Sequence, residues 1–157
     1  MSHLTSAPVR IKDISDLRAA AKHFGGELIE KKNYVWFGEV IYPDTLPPGF
    51  KIEDAGKCDY EIKIPGINYT IGVVRQKDGT FTMAYDFWGE GVRGYEDVRT
   101  PGAFHDGAKL KEKFGDGLSK LVQRCAAETV LRAAKRKGVL CSVKTLSNGS
   151  LQLRMSV

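Results

Sequence analysis

The chain has 157 residues, 42% of them hydrophobic, and a formal net charge of +5, which suits one domain (residues 1–157) with a core of its own. No run of about 18 apolar residues occurs, which excludes a membrane-spanning helix, and the opening ten residues lack the apolar stretch of a secretion signal. Cys58, Cys125 and Cys141 are widely spaced with no Cys-x-x-Cys pair, so reduced thiols in a cytoplasmic protein are expected, with no cofactor or metal.

Residues 7–14 alternate apolar and polar from Val9 onward and predict a strand. Ser15 is the expected N-cap of a short helix carrying Leu17, Ala20, Ala21 and Phe24, ended by Gly25-Gly26. Residues 27–41 are rich in strand-favouring side chains and predict one strand or a bent hairpin turning at Lys31-Lys32-Asn33. Residues 43–58 hold three prolines and no period, which predicts a surface excursion. Three alternating strands follow. Tyr60, Ile62 and Ile64 share one face of the first, Tyr69, Ile71 and Val73 of the second, and Phe81, Met83, Tyr85 and Phe87 of the third. Pro65-Gly66 and Asp78-Gly79 are their turns.

Residues 89–108 carry five glycines and predict a surface loop. A principal helix is expected over about 117–137, with Leu118, Leu121, Val122, Cys125, Ala126, Thr129, Val130 and Ala133 on one apolar stripe and Gly138 closing it. Two final strands, 139–146 and 151–157, flank Asn148-Gly149, a strong hairpin signal. The order predicts an α+β fold: an antiparallel β-sheet, meander plus C-terminal hairpin, with two helices packed on one face and the other face solvated or used for binding.

Charge is concentrated. Between Lys109 and Lys137 stand nine basic residues and three acids, so this segment exceeds the surplus of the whole chain. At 100° per residue, Lys120, Arg124 and Lys135 fall on one side of the helix, with Ala127 and Leu131 among them and the apolar stripe opposite. An acidic partner, whether nucleic acid or an acidic protein surface, accounts for this pattern, and so does a solvated helix face. Gly89-Glu90-Gly91-Val92-Arg93-Gly94 spells Gly-x-Gly-x-x-Gly but follows an antiparallel strand and opens no helix, which removes the dinucleotide reading and leaves Arg93 and Arg99 as a candidate anion clasp. Adjacent Phe87 and Trp88 must point to opposite faces of a strand, so Trp88, with Trp36, is a candidate base-stacking residue; covering the core is the competing reading. His3, His23 and His105 have no ligand spacing, and Cys125 falls on the apolar stripe, which leaves Cys58 as the one thiol expected at a surface.

Cys58 to Gly66, Tyr69 to Arg75, Asp78-Gly79, Tyr85 to Gly89, Leu118 to Ala126, Ala133 to Gly138 and Asn148 to Leu151, after an opening Met1-Ser2-His3, together resemble the uncharacterised family named for hypothetical chloroplast reading frame thirty-five, whose members also occur in bacteria and phages. The resemblance runs from Cys58 to the end of the chain and departs from the family's pattern at 43–58 and 89–108, which suits a phage branch. It implies a cytosolic or plastid protein often encoded beside an AAA-type ATPase, and it supplies no catalytic residue. The expected function is therefore that of a non-enzymatic binding or adaptor protein acting with such an ATPase or another acidic protein surface. The alternative is a nucleic-acid or nucleotide-ligand binder, such as a phage protein sequestering a host nucleotide. A third is an enzyme with an unfamiliar site around Cys58, His105 or Asp86. Oligomeric state is not legible.

Overall fold

Among the described residues, eleven short segments of regular structure build two sheets around three helices. The structure, a computed structural model, describes residues 4–7, 9–36, 54–87 and 106–156. The elements are β1 (Leu4–Ser6), α1 (Ile14–His23), β2 (Glu27–Glu30), β3 (Tyr60–Ile64), β4 (Ile67–Arg75), β5 (Phe81–Asp86), α2 (Asp106–Phe114), a 3-10 turn (Asp116–Leu118), α3 (Ser119–Arg136), β6 (Leu140–Thr145) and β7 (Leu151–Ser156). An antiparallel five-stranded sheet has the order β1-β5-β4-β3-β2, and β6-β7 form a separate two-stranded sheet.

The meander follows its alternation. Ile62 and Ile64, Tyr69, Ile71 and Val73, and Phe81, Met83 and Tyr85 are all buried in one core with Leu17, Ala20 and Ala21 of α1, Leu110 and Phe114 of α2, and Leu118, Leu121 and Cys125. The turns also stand where the sequence puts them, with Gly66, Gly79 and Gly149 at φ of 81°, 83° and 86°, conformations open to glycine at little cost. Helices α1 and α3 end alike. Gly25 N–H donates to Lys22 and Gly26 N–H to Ala21, while Gly138 N–H donates to Lys135 and Val139 N–H to Ala134, the paired bonds of a Schellman motif.

Several expectations are corrected. The first strand lies at 4–6, not 7–14; Ile11 meets Phe81 only as an isolated bridge, because the chain leaves β5 after Ala7 N–H bonds Met83 and rejoins it four residues later. The α1 N-cap is Asp13, whose Oδ1 accepts from Ser15 N–H at 2.8 Å, not Ser15. The strand expected over 27–41 stops at Glu30, and residues 37–41 lie outside the described residues. Of the two predicted excursions, 43–53 and 89–105 also lie outside them, whereas 106–108 begin α2, a helix the glycine-rich reading missed.

The sheet's other face is covered rather than solvated. Tyr34, Leu4 and Ala84 are buried there, with Trp36, Ala55 and Cys58 packed against them. Residues 31–36 form a strap over that face: Val35 N–H donates to Thr70 Oγ1 (2.8 Å), and Thr70 N–H donates to Val35 (3.0 Å). The strap fits because Gly72 lacks a side chain; a Cβ there would sit 2.3 Å from the Tyr34 ring.

Candidate anion-binding surface

The second sheet face holds the most deeply buried polar groups and is the first place to look for chemistry. Glu61 is fully buried. One of its oxygens accepts from Lys31 Nζ at 3.1 Å and the other from Thr70 Oγ1 at 3.0 Å, and Thr70 Oγ1 in turn accepts from Val35 N–H. The chain of bonds therefore satisfies the carboxylate and fastens the strap, which is the ordinary condition for a buried acid. Burial pushes the Tyr34 phenol up, and nearby Asp86 acts in the same sense. Cys58 is half-buried and its Sγ donates to the Lys31 carbonyl (3.1 Å). Burial, then Glu61 and Asp59, push its thiol up to about 11, and burial pushes Cys125 to about 11 as well. Both are thiols at neutral pH, the unreactive form. Trp36 is half-buried, its Nε1 against Gly56 and its ring 6.5 Å from that of Tyr34, so it packs against the strap. Arg93, Arg99, Trp88 and His105 lie outside the described residues. His23 is exposed and its ring stands edge-on to Phe24 at 5.1 Å.

Helix α3 is where the expected basic side must be redrawn. Leu121 and Cys125 face the main core. Ala127 and Ala134 are also buried, yet they stand outside that core, while Ala126 and Ala133 of the expected stripe are exposed. The helix has a second packing partner, the β6-β7 hairpin. The row through Lys120, Arg124, Ala127 and Leu131 is therefore only partly solvated: Lys120 is exposed, Arg124 and Leu131 are half-buried and Ala127 is buried. Lys120 and Arg124 rim a cleft of about 200 Å3 with Phe24, Gln123 and Leu151. Arg124 is committed elsewhere: its guanidinium bonds Glu128 at 2.6 and 2.8 Å, one turn on. Arg132 is committed too. It grips both oxygens of buried Asp16 at 2.9 Å and reaches Asp13, while Thr129 Oγ1 donates to Asp16 at 2.8 Å, so this arginine ties α3 to the start of α1.

What remains free is a different set. From Thr129 to Val157 there are six cations and no acidic side chain. Setting Arg132 aside and adding Lys120, the exposed Lys120, Lys135, Arg136, Lys137, Lys144 and Arg154 make no ion pair among the described residues. Lys135, Arg136 and Lys137 form the last turn of α3 and its cap. Only Gly138 and Val139 separate Lys137 from the start of β6, so the helix end and the hairpin base adjoin. On the hairpin, Ser142 pairs with Arg154 and Lys144 with Gln152. All four are exposed, while Cys141, Val143, Leu151 and Leu153 on the other side are half-buried against α3. Lys144 and Arg154 thus stand diagonally on one outward face, within about 8 Å at the Cα positions. Sequence reasoning found Lys135 but missed Lys144 and Arg154. The signal was present in the period-two spacing of Ser142 and Lys144 against Gln152 and Arg154.

Comparison with known proteins yields no relative: no family model, no curated protein and no solved structure matches the chain.

Proposed function

We propose that the chain is a non-enzymatic binding protein that engages an acidic partner through the end of α3 and the outer face of the β6-β7 hairpin. One observation carries this reading: six exposed cations without ion-pair partners among the described residues gather on one structural unit, whereas Arg124 and Arg132 of the same unit are neutralised by Glu128, Asp13 and Asp16. Leaving like charges together opposes folding through self-repulsion, and a partner of opposite sign relieves it. The thiols at Cys58 and Cys125, held protonated, support a binding role over nucleophilic catalysis. An adaptor meeting an acidic face of an ATPase, as the family resemblance implies, is one form of this reading.

Retention on immobilised heparin tests it. The wild-type chain is expected to bind and to elute at rising salt, as counterion-releasing association does. A variant carrying Lys135→Glu, Lys137→Glu, Lys144→Glu and Arg154→Glu is expected to flow through with an unchanged circular dichroism spectrum. Equal retention of a variant with four exposed cations reversed elsewhere (Lys12, Arg18, Lys22 and Lys63) is expected. The reverse ranking would overturn the proposal.

A further inference from the structure

We infer that the acidic partner is double-stranded DNA, and that the β6-β7 hairpin enters its major groove while the α3 end grips the flanking phosphates. This rests on the reading above and narrows it. The outer face of the hairpin carries Leu140, Ser142 and Lys144 on β6 and Gln152, Arg154 and Ser156 on β7, all exposed. Five of the six are hydrogen-bonding side chains suited to base edges and phosphates, and two of those are cationic. The cores of protein interfaces are enriched in aromatic side chains; this face has none, and its one apolar side chain is the exposed Leu140. The same lack argues against single strands, whose bases need stacking partners.

Shape favours the B-form groove. A two-stranded ribbon with its side chains is narrow enough for the major groove, about 12 Å across, which admits such a ribbon. Six residues per strand give it a length of roughly 20 Å. The major groove of duplex RNA is too narrow for side chains to read. The base of the ribbon leads straight back to Lys135, Arg136 and Lys137 through Gly138 and Val139, so helix charge lies beside the groove that the ribbon would occupy. Lys144 sits towards the turn and Arg154 towards the base, which spreads cations along the ribbon rather than at one point.

Fluorescence anisotropy with a labelled duplex of about 20 base pairs tests this, with duplex RNA, single-stranded DNA and polyglutamate as competitors and salt varied from about 50 to about 200 mM. Duplex DNA is expected to bind most tightly. Lys144→Ala with Arg154→Ala is expected to cost about 10-fold or more in affinity. Wild-type protein is expected to protect guanine N7, a major-groove atom, from dimethyl sulfate, and this double variant to lose that protection. Lys135→Ala with Lys137→Ala is expected to weaken binding while leaving the pattern of protection intact. Unprotected N7, an unaffected Lys144/Arg154 variant, or duplex RNA or polyglutamate bound as tightly as DNA overturns the groove assignment and leaves the acidic-partner reading standing. Failure to bind any polyanion overturns both.

Discussion

Gly72 shows how one missing side chain decides what a sheet face can hold. It lies in the middle of β4, where glycine ordinarily weakens a strand, and the Tyr34 ring occupies the space that a Cβ would need, with three ring atoms within 2.7 Å of its ideal position. Gly72→Ala is expected to displace Tyr34 and lift the strap, destabilising the fold by about 3 kcal/mol or more as overpacking of a rigid neighbour does, measured by urea unfolding; a change under about 1 kcal/mol would show that the strap moves freely. Asp13 acts at the same scale. The Ser15 amide, and after it Arg132, hold its carboxyl below the usual 3.8. A depressed carboxylate contributes stability that is present above its unfolded pKa and is lost as pH falls through its folded one. Stability is therefore expected to fall below about pH 4, and Asp13→Ala is expected to remove about 1 kcal/mol at pH 7, as loss of an N-cap does, and to flatten that acid limb. An acid limb as steep in the variant would assign it to other carboxylates.

At the scale of elements, the parts legible in the sequence are those whose partners lie close along the chain. Strands β3, β4 and β5 are joined by tight turns, so alternation and turn residues fix register together. The ends of α1 and α3 are written locally by Gly25 and Gly138. Elements with distant partners were not legible. Asp13 displaced Ser15 as cap while also reaching Arg132, 119 residues away. Ala127 and Ala134 are buried by a hairpin whose inner face gives no sign of which surface it will meet. Lys144 and Arg154 were hidden for the same reason, since strands assumed to extend the main sheet have no obvious outward face. That separateness has a dynamic consequence. No residue of β6 or β7 is buried, and a two-stranded sheet alone is marginal in water. Amides of Val143 and Leu153 are therefore expected to exchange with deuterium faster than those of Ile71 and Val73, which are fully buried in β4. Exchange at equal rates would mean that the hairpin opens only with the whole domain.

For the whole molecule, the carboxylates are divided unevenly along the chain. Around α1 and the middle of α3, carboxylates meet their cations: Asp13 and Asp16 with Arg132, and Glu128 with Arg124. Past Glu128 no acidic side chain occurs. Six exposed cations within a span of a few tens of ångströms repel one another most at low ionic strength, where screening extends over about 30 Å at 0.01 M against about 8 Å at 0.15 M. Their role can therefore be read from stability alone. If they serve the fold, replacing them should weaken it; if they serve a partner, the fold should gain. Lys135→Gln, Lys137→Gln, Lys144→Gln and Arg154→Gln together are expected to leave the melting temperature at 0.15 M salt unchanged or slightly higher, because exposed charges without partners contribute little and repel one another. The wild-type Tm is expected to rise between about 0.01 M and about 0.15 M salt, and the variant's to rise less. A polyanion is expected to raise only the wild-type Tm, by linkage of binding to the folded state. A variant that melts several degrees lower at every salt concentration would assign the cations to the fold and remove the physical ground for an acidic partner at this surface.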